Sequence, residues 1–184
     1  MGKSGTDKEH IAEKMHTRSK RVDKPFVSVD CGLLSRELAA SALFGHEKGV
    51  FTGTESRKQG FGEGTDGGTL FHEEIGKLPT EVQQMLLRAL ESKMYKPMDG
   101  NRDKKADVRV TAATNEDLPT AIAEKRFRAD LYQRLKEYAL HIPPLRECKE
   151  DILPLADFFL RLANEEFEKQ MKGTAILVLT VRRL

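Results

Sequence analysis

GGTLFHEEI, residues 67–75, gives the clearest indication of a β-strand in this sequence. A Gly-Gly turn leads into an apolar run, and two carboxylates, Glu73 and Glu74, follow it. Similar β-rich runs are PFVSVDC at 25–31, DVRVTAATN at 107–115 and EYALHIPPL at 137–145. Because helical stretches separate these strands, the sequence predicts an α/β fold with a parallel sheet and helices on both faces.

The predicted helices alternate with these strands. They cover residues 8–19, 35–45, 79–92 and 118–135, and residues 150–171 predict one or two further amphipathic helices. The helix at 79–92 is the best marked, because Pro79 and Thr80 are typical start residues. Its apolar residues also recur at the spacing of one helical face; they are Val82, Leu86, Ala89 and Leu90.

The amino-terminal segment GKSGTDKE, residues 2–9, approximates a phosphate-binding loop. Such a loop surrounds phosphates with backbone N–H groups, the start of a helix and one lysine, which here is Lys8. Two residues depart from the general pattern: Asp7 replaces a glycine, and Glu9 replaces a serine or threonine. The alternative interpretation is a turn that caps the following helix.

The two carboxylates after the 67–75 run suit a nucleotide site. Hydrophobic residues that lead into a pair of acids resemble a Walker B strand end. Glu73 would then hold Mg²⁺, and Glu74 would polarise the attacking water. The alternative is a solvated acidic turn, but the spacing from the phosphate loop favours the functional interpretation.

The segment FGHEKGVFTGTESRKQGFGE, residues 44–63, is the most specific feature. An apolar tip lies between glycines at residues 49–53, with charged residues on both sides. A protein core does not require such a tip, so we expect an exposed loop that inserts Phe51 and Thr52 into a partner. An ordinary hairpin turn is the alternative.

The segment SALFGHEKGVFTGT closely resembles the GAFTGA signature of sigma-54-dependent transcriptional activators, a branch of the AAA+ P-loop ATPases. Other segments match that family in its own order over roughly residues 2–170. They are GKSGTDKE, GGTLFHEEI, the sensor I strand ending in AATN, FRADLYQRL and PPLREC. In the family's phosphate loop, GExGTGKE, a glutamate is expected at Glu9, and only Lys3 and Asp7 depart. Several such motifs in series make a chance match improbable.

The resemblance implies an ATP and Mg²⁺ site. The residues that would bind the nucleotide are Gly2, Ser4, Gly5, Thr6, Asp7, Lys8, Glu9 and Thr114, with Glu73 at the metal. The implied catalytic residues are Glu74, Asn115, Arg128 and Arg134. Asp7 and Glu73 differ from the family's glycine and aspartate, so we expect both to impair ATPase activity.

The resemblance also implies partners. The family forms rings, usually hexamers, in which Arg128 and Arg134 would reach a neighbour's γ-phosphate; without the family, both would be interpreted as surface charge. Hydrolysis would move the loop that contacts sigma-54, formed by Gly49, Val50, Phe51, Thr52, Gly53 and Thr54. In the family an asparagine holds the water-activating glutamate idle. Asp30 occupies that position, and its carboxylate would repel Glu74 unless a proton or cation lies between them.

Composition constrains the class of protein. Hydrophobic residues make up 39% and charged residues 33% of the 184, with a net charge of +2, which is a soluble, globular profile. No apolar run is long enough to span a bilayer, and the amino terminus does not resemble a signal peptide. Cys31 and Cys148 form no metal pattern and suit a reducing compartment, so we expect a cytoplasmic protein.

The ends of the chain suggest its organisation. Residues 1–148 are expected to form the AAA+ core without its first strand, and residues 149–184 the start of a helical lid plus an atypical tail. Contact with DNA is expected only through another domain. Three interpretations remain open: an ATPase that remodels sigma-54 RNA polymerase, a hydrolysis-deficient module that binds sigma-54, and a degenerate fragment.

Overall fold

The computed structural model of the chain describes residues 8–47 and 59–171. Two compact units are distinguished, Met1–Ile142 and Pro143–Leu184. The division predicted between residues 148 and 149 stays a prediction.

The first unit contains a parallel sheet. The strands are β1 (Phe26–Asp30), β2 (Thr69–Glu73), β3 (Met94–Tyr95), β4 (Lys104–Lys105) and β5 (Arg109–Ala112). Strands β1, β2 and β5 form a parallel sheet in the order β1-β2-β5, while β3 and β4 pair antiparallel. The strands predicted at 25–31, 68–75 and 107–115 are therefore confirmed. The sequence did not predict the short β3–β4 pair.

Helices of the first unit connect and cover its strands. They are α1 (Lys8–Thr17), α2 (Arg36–Phe44), α3 (Phe61–Gly64), α4 (Thr80–Ser92), α5 (Leu118–Ala123) and α6 (Ala129–Leu135). Helix α7 (Ile152–Glu166) belongs to the second unit. Short 3-10 turns occupy Ile75–Lys77, Lys136–Tyr138, Leu145–Glu147 and Lys149–Asp151. Among the residues described, no helix is long and apolar enough to cross a membrane.

The helix predicted at 118–135 is two helices. Asp117 starts α5 by accepting a hydrogen bond from the Thr120 backbone N–H at 3.2 Å. Beyond α5 the chain turns at Lys125, whose φ of 58° is left-handed. Helix α6 then begins after Arg128, so the prediction of one continuous helix is wrong at this turn.

The strand predicted at 137–145 is not formed. A 3-10 turn ends at Tyr138, and the chain has no regular structure until Leu145. Within the described residues, the parallel sheet has the order β1-β2-β5, and this segment is not paired with any of its strands. Pro143 and Pro144 also lack the N–H that a ladder requires. The side chains of Tyr138 and Leu140 are accordingly 91% and 70% exposed.

The main core lies between one face of the sheet and helices α2, α4 and α6. Its members include Val29, Leu43, Leu70, Leu86 and Leu131, all at most 5% exposed. The apolar face predicted for α4 is confirmed, since Val82 and Leu86 are buried and Ala89 and Leu90 pack against the same cluster. Each fully buried leucine or valine contributes roughly 1.5–3 kcal/mol.

The opposite face of the sheet packs against α1. The rings of Phe26 and Phe71 stack with centroids 6.4 Å apart, and His16 lies 5.4 Å from Phe26. His16 Nδ1 also forms a 2.9 Å hydrogen bond with the Thr69 hydroxyl. Helices therefore cover both faces, as the strand–helix alternation predicted.

Gly45 and Gly60, which lie on either side of residues 48–58, pack against each other's backbone at the end of α2. Gly45 ends α2 with a φ of 76°, and its carbonyl accepts a 2.9 Å hydrogen bond from the Met98 N–H. Gly60 packs so closely here that an added Cβ would collide with the backbone of Leu43 and Gly45. Glycine is therefore required at this crossing.

Candidate functional site

Polar side chains gather at the carboxyl ends of the parallel strands. Asp30 ends β1 beside Glu73, which ends β2, and the two residues are register partners on the same face of the sheet. Thr114 and Asn115 follow β5, and α1 begins at Lys8. Parallel strands place their carboxyl ends along one edge, which is where ligands bind in open α/β sheets.

Lys8, Glu74 and Asn115 form one hydrogen-bonded cluster at this edge. The Asn115 side-chain amide donates to Glu74 Oε1 at 2.6 Å. Lys8 Nζ donates to Asn115 Oδ1 and lies 3.8 Å from Glu74 Oε1. The Lys8 side chain is only 9% exposed. The cluster therefore joins three predicted site residues from three separate elements.

The backbone of Glu74 directs its carboxylate toward this cluster. Glu74 has φ 52° and ψ 45°, a left-handed conformation that residues other than glycine seldom adopt. The following N–H, of Ile75, donates to the Ala113 carbonyl at 3.0 Å, which ties the turn to the end of β5. Strained conformations of this kind are common at functional sites.

The edge carries an excess of negative charge. Burial raises the pKa of Glu73, and the neighbouring Asp30 and Glu9 raise it further, while Lys8 opposes them. Burial, Asp30 and Glu74 also raise the pKa of the Cys31 thiol to about 12, so this cysteine is not a nucleophile. Such an environment favours a cation, because a positive charge relieves the crowding of carboxylates.

The described residues do not form a metal cage of their own. They contain no group of three or more His, Cys, Asp or Glu side chains that could hold an ion. Mg²⁺ is usually held by one or two carboxylates together with phosphate oxygens and water. Glu73, at the end of β2, would supply one such carboxylate.

Asp30 makes a different contact from the one expected of its position. Its Oδ1 accepts the Gly32 backbone N–H at 2.7 Å. No hydrogen bond joins Asp30 to Glu74 among the bonds of the described residues. Glu74 is held by Asn115 instead.

The two predicted arginine fingers lie on or next to α6. Arg128 is bound by Asp130 through hydrogen bonds of 2.6 Å and 3.0 Å. This pairing raises the pKa of Arg128 and lowers that of Asp130. Arg134 is exposed in the last turn of α6. In the part of the chain that is described, neither arginine is hydrogen-bonded to the Lys8–Glu74–Asn115 cluster.

Gln83 positions the start of α6 and was not predicted. Its side chain is fully buried in α4, and its Nε2 donates to the carbonyls of Leu78 at 2.7 Å and Arg126 at 3.0 Å. Its Oε1 accepts the Arg128 N–H at 2.9 Å. The available signal was a glutamine between the apolar positions Val82 and Leu86.

Two groups of predicted residues lie outside the described residues. One is the phosphate-loop group Gly2, Ser4, Gly5, Thr6 and Asp7. The other is the partner-binding group Gly49, Val50, Phe51, Thr52, Gly53 and Thr54. Their assignments stay predictions.

The parallel sheet with helices on both faces has the fold of an AAA+ P-loop NTPase domain. NtrX from Brucella abortus in complex with ADP has a similar structure, with a TM-score of 0.88 and 32% identity over 95% of this chain and 38% of that one. The same protein in complex with ATP gives a TM-score of 0.87 at 31% identity, with the same shares covered.

The chain belongs to the sigma-54 interaction domain family, whose model matches residues 1–141. It is 46% identical to the transcriptional regulatory protein GlrR of Escherichia coli (strain K12), over 89% of this chain and 37% of that protein. It is 44% identical to the DNA-binding transcriptional regulator NtrC of Klebsiella pneumoniae, over 93% of this chain and 36% of that protein. The chain thus spans little more than a third of the length of these relatives.

Proposed function

We propose that this chain is the nucleotide-binding core of a sigma-54-dependent transcriptional activator. It binds ATP with Mg²⁺ and couples hydrolysis to remodelling of sigma-54 RNA polymerase in the cytoplasm. The observation that carries the proposal is the cluster of Lys8, Glu74 and Asn115 at the carboxyl edge of the sheet. Membership of the family and the nucleotide complexes of NtrX support it.

Lys8 supplies the positive charge for the β- and γ-phosphates. It begins α1, so phosphates near its Nζ would also face the N–H groups of the helix start. Lys8 is paired with Asn115 and Glu74, and phosphate oxygens would replace these two acceptors. Asn115, which accepts a hydrogen bond from Lys8, and the preceding Thr114 would contact the γ-phosphate.

Glu73 and Glu74 have different roles, the first at the metal ion and the second at the attacking water. Glu73 would hold Mg²⁺ directly or through water, and the ion would neutralise charge on the phosphate oxygens. Glu74 would accept hydrogen bonds from the attacking water and orient it. Because Asn115 donates to Glu74 Oε1, that oxygen is engaged, and transfer of Asn115 to a γ-phosphate would release it.

Arg128 and Arg134 act across a subunit boundary. Their lack of hydrogen bonds to the Lys8 cluster, among the described residues, suits residues that serve a neighbouring site in a hexameric ring. Arg128 must leave Asp130 to do so, whereas Arg134 is already exposed. The Gly49–Thr54 segment would contact sigma-54.

Nucleotide titration tests the proposal. We expect labelled ATP with Mg²⁺ to bind the chain weakly, because Asp7 opposes the phosphates, and Lys8→Ala to weaken binding at least about tenfold further, since it removes a charge-assisted contact worth about 1.5–3 kcal/mol. Lys14→Ala is the matched control, because Lys14 is an exposed lysine of the same helix. Equal losses in both variants would contradict the assignment of Lys8. Sigma-54 binding without nucleotide binding would favour a hydrolysis-deficient module.

A further inference from the structure

A cavity of about 160 Å³ lies in the first unit, between the sheet and α4. Its walls are mainly apolar and include Leu43, Phe44, Leu70, Leu86 and Val110. Charged residues also border it; they are Arg21, Lys93 and Asp107. The cavity is therefore an apolar chamber with a polar margin.

His72 is the buried polar side chain that lines this chamber. It is 0% exposed, and neither ring nitrogen has a hydrogen-bond partner. Buried polar groups are nearly always paired, because leaving one unpaired is costly. The chamber thus contains a donor and an acceptor that the described residues do not satisfy.

The chamber is separate from the candidate nucleotide site. His72 pairs in register with Val29, and Glu73 pairs with Asp30, so the two neighbours point to opposite faces of the sheet. The lining residues Ala106 to Val108 precede β5, whereas Asn115 follows it. A ligand here would therefore not compete directly with the nucleotide.

Size and chemistry restrict the ligand. An apolar cavity of roughly 150 Å³ accommodates a benzene ring. At the His72 end of the chamber a charged group would lose its hydration without gaining an opposite charge, because the charged side chains of Lys93 and Asp107 are exposed at the margin. A single water requires two to four polar partners, and one imidazole nitrogen supplies only one of them. A neutral imidazole has one donor and one acceptor, which a hydroxyl group complements.

We propose that this chamber binds a small, neutral aromatic compound that carries one hydroxyl group, with the ring against the apolar walls and the hydroxyl on His72. The site is independent of ATP binding and extends beyond the proposed function.

Phenol and benzene, titrated into the full chain and followed by NMR, test the proposal. We expect saturable binding of phenol about tenfold tighter than benzene, because only phenol pairs with the imidazole. In His72→Leu this preference should disappear, since leucine is similar in size but has no polar atom. This variant places an apolar residue on a buried strand, so we expect it to fold.

A second variant tests the location. Ala89 lines the chamber from α4, so Ala89→Leu should fill it and weaken both compounds by about tenfold or more. The proposal is overturned if the parent binds neither compound saturably, or if phenol binds the parent and His72→Leu equally. It is also overturned if Ala89→Leu leaves both affinities unchanged.

Discussion

Asn115 holds Glu74: the amide of the residue that follows β5 donates to the carboxylate that follows β2, at 2.6 Å. The position from which the family restrains this glutamate is Asp30, whose carboxylate accepts the Gly32 N–H instead. Asn115 also accepts a hydrogen bond from Lys8. One amide therefore connects the proposed phosphate-binding lysine to the proposed water-orienting glutamate.

Replacement of Asn115 should separate catalysis from stability. Asn115→Ala removes two partly exposed hydrogen bonds, so we expect a loss of only about 1 kcal/mol in the free energy of unfolding. In a complete, assembled protein, ATP hydrolysis should fall by at least about tenfold, equivalent to 1.4 kcal/mol of transition-state stabilisation. Thermal melting and phosphate release measure the two effects. Unchanged hydrolysis would contradict the role of Asn115.

Asp7 is the departure expected to cost most in ATP affinity. A carboxylate about 4 Å from a phosphate charge, at an effective dielectric near 20, costs up to about 4 kcal/mol. In the complete protein, Asp7→Gly should therefore tighten ATP binding by as much as nearly three decades. Asp23→Gly, an exposed acid beyond α1, is the control for a general change in charge. Equal affinities in parent and Asp7→Gly would show that the carboxylate points away from the phosphates.

Gln83 should be critical for stability. Gln83→Met keeps the approximate volume but leaves the carbonyls of Leu78 and Arg126 and the N–H of Arg128 without this partner. Unsatisfied buried groups predict a loss of about 2–3 kcal/mol in unfolding free energy. Gln84→Met, at the exposed neighbouring position, should change it by less than about 0.5 kcal/mol. Urea denaturation of both variants measures the difference, and equal midpoints would contradict it.

His72 should make the fold sensitive to acid. Burial lowers the pKa of His72 from 6.5 to about 4, so the unfolded chain binds a proton that the folded chain does not. The free energy of unfolding therefore has its full value above about pH 6.5, and it falls by up to roughly 3 kcal/mol as the pH drops toward 4. His72→Leu should flatten that part of the stability–pH curve, and His10→Gln, an exposed control, should not. Parallel curves for parent and His72→Leu would disprove the assignment.

Arg134 should act only in the assembled protein. Arg134→Ala should lower hydrolysis by about 10³-fold or more in the ring, the scale expected of an arginine finger, while ATP affinity of the monomer stays nearly unchanged. Arg88→Ala, an exposed arginine of α4, provides the control. Hydrolysis equal to that of the parent would leave Arg134 as surface charge.

The edge of the sheet was predictable, but its hydrogen bonds were not. The run ending at Glu73 is bounded by a turn and by acids, so both the strand and the placement of its carboxylates follow from sequence. The link from Glu74 to Asn115 depends on a left-handed glutamate, and no local rule places glutamate there. The sequence also could not indicate that Asp30 would turn to Gly32.

Two elements were predicted wrongly because their structure depends on tertiary contacts. Residues 118–135 contain no internal glycine to break a helix, and the break before α6 coincides with the hydrogen bonds from buried Gln83. Residues 137–145 have strand composition, but a strand also needs a hydrogen-bonding neighbour, and none is paired with it in the described part of the chain. A local sequence pattern does not indicate contacts with residues that are distant in the chain, and both elements depend on such contacts.

The close packing of Gly60 on Leu43 and Gly45 has a consequence for how this sequence can vary. Because Gly45 and Gly60 lie against the same backbone, the loop-closure entropy of a longer connection between them changes little. That term grows slowly, by about 0.6 kcal/mol for each doubling of length. At Gly60, by contrast, any side chain would displace the backbone of Leu43 and Gly45, so the described packing leaves selection little freedom at this position.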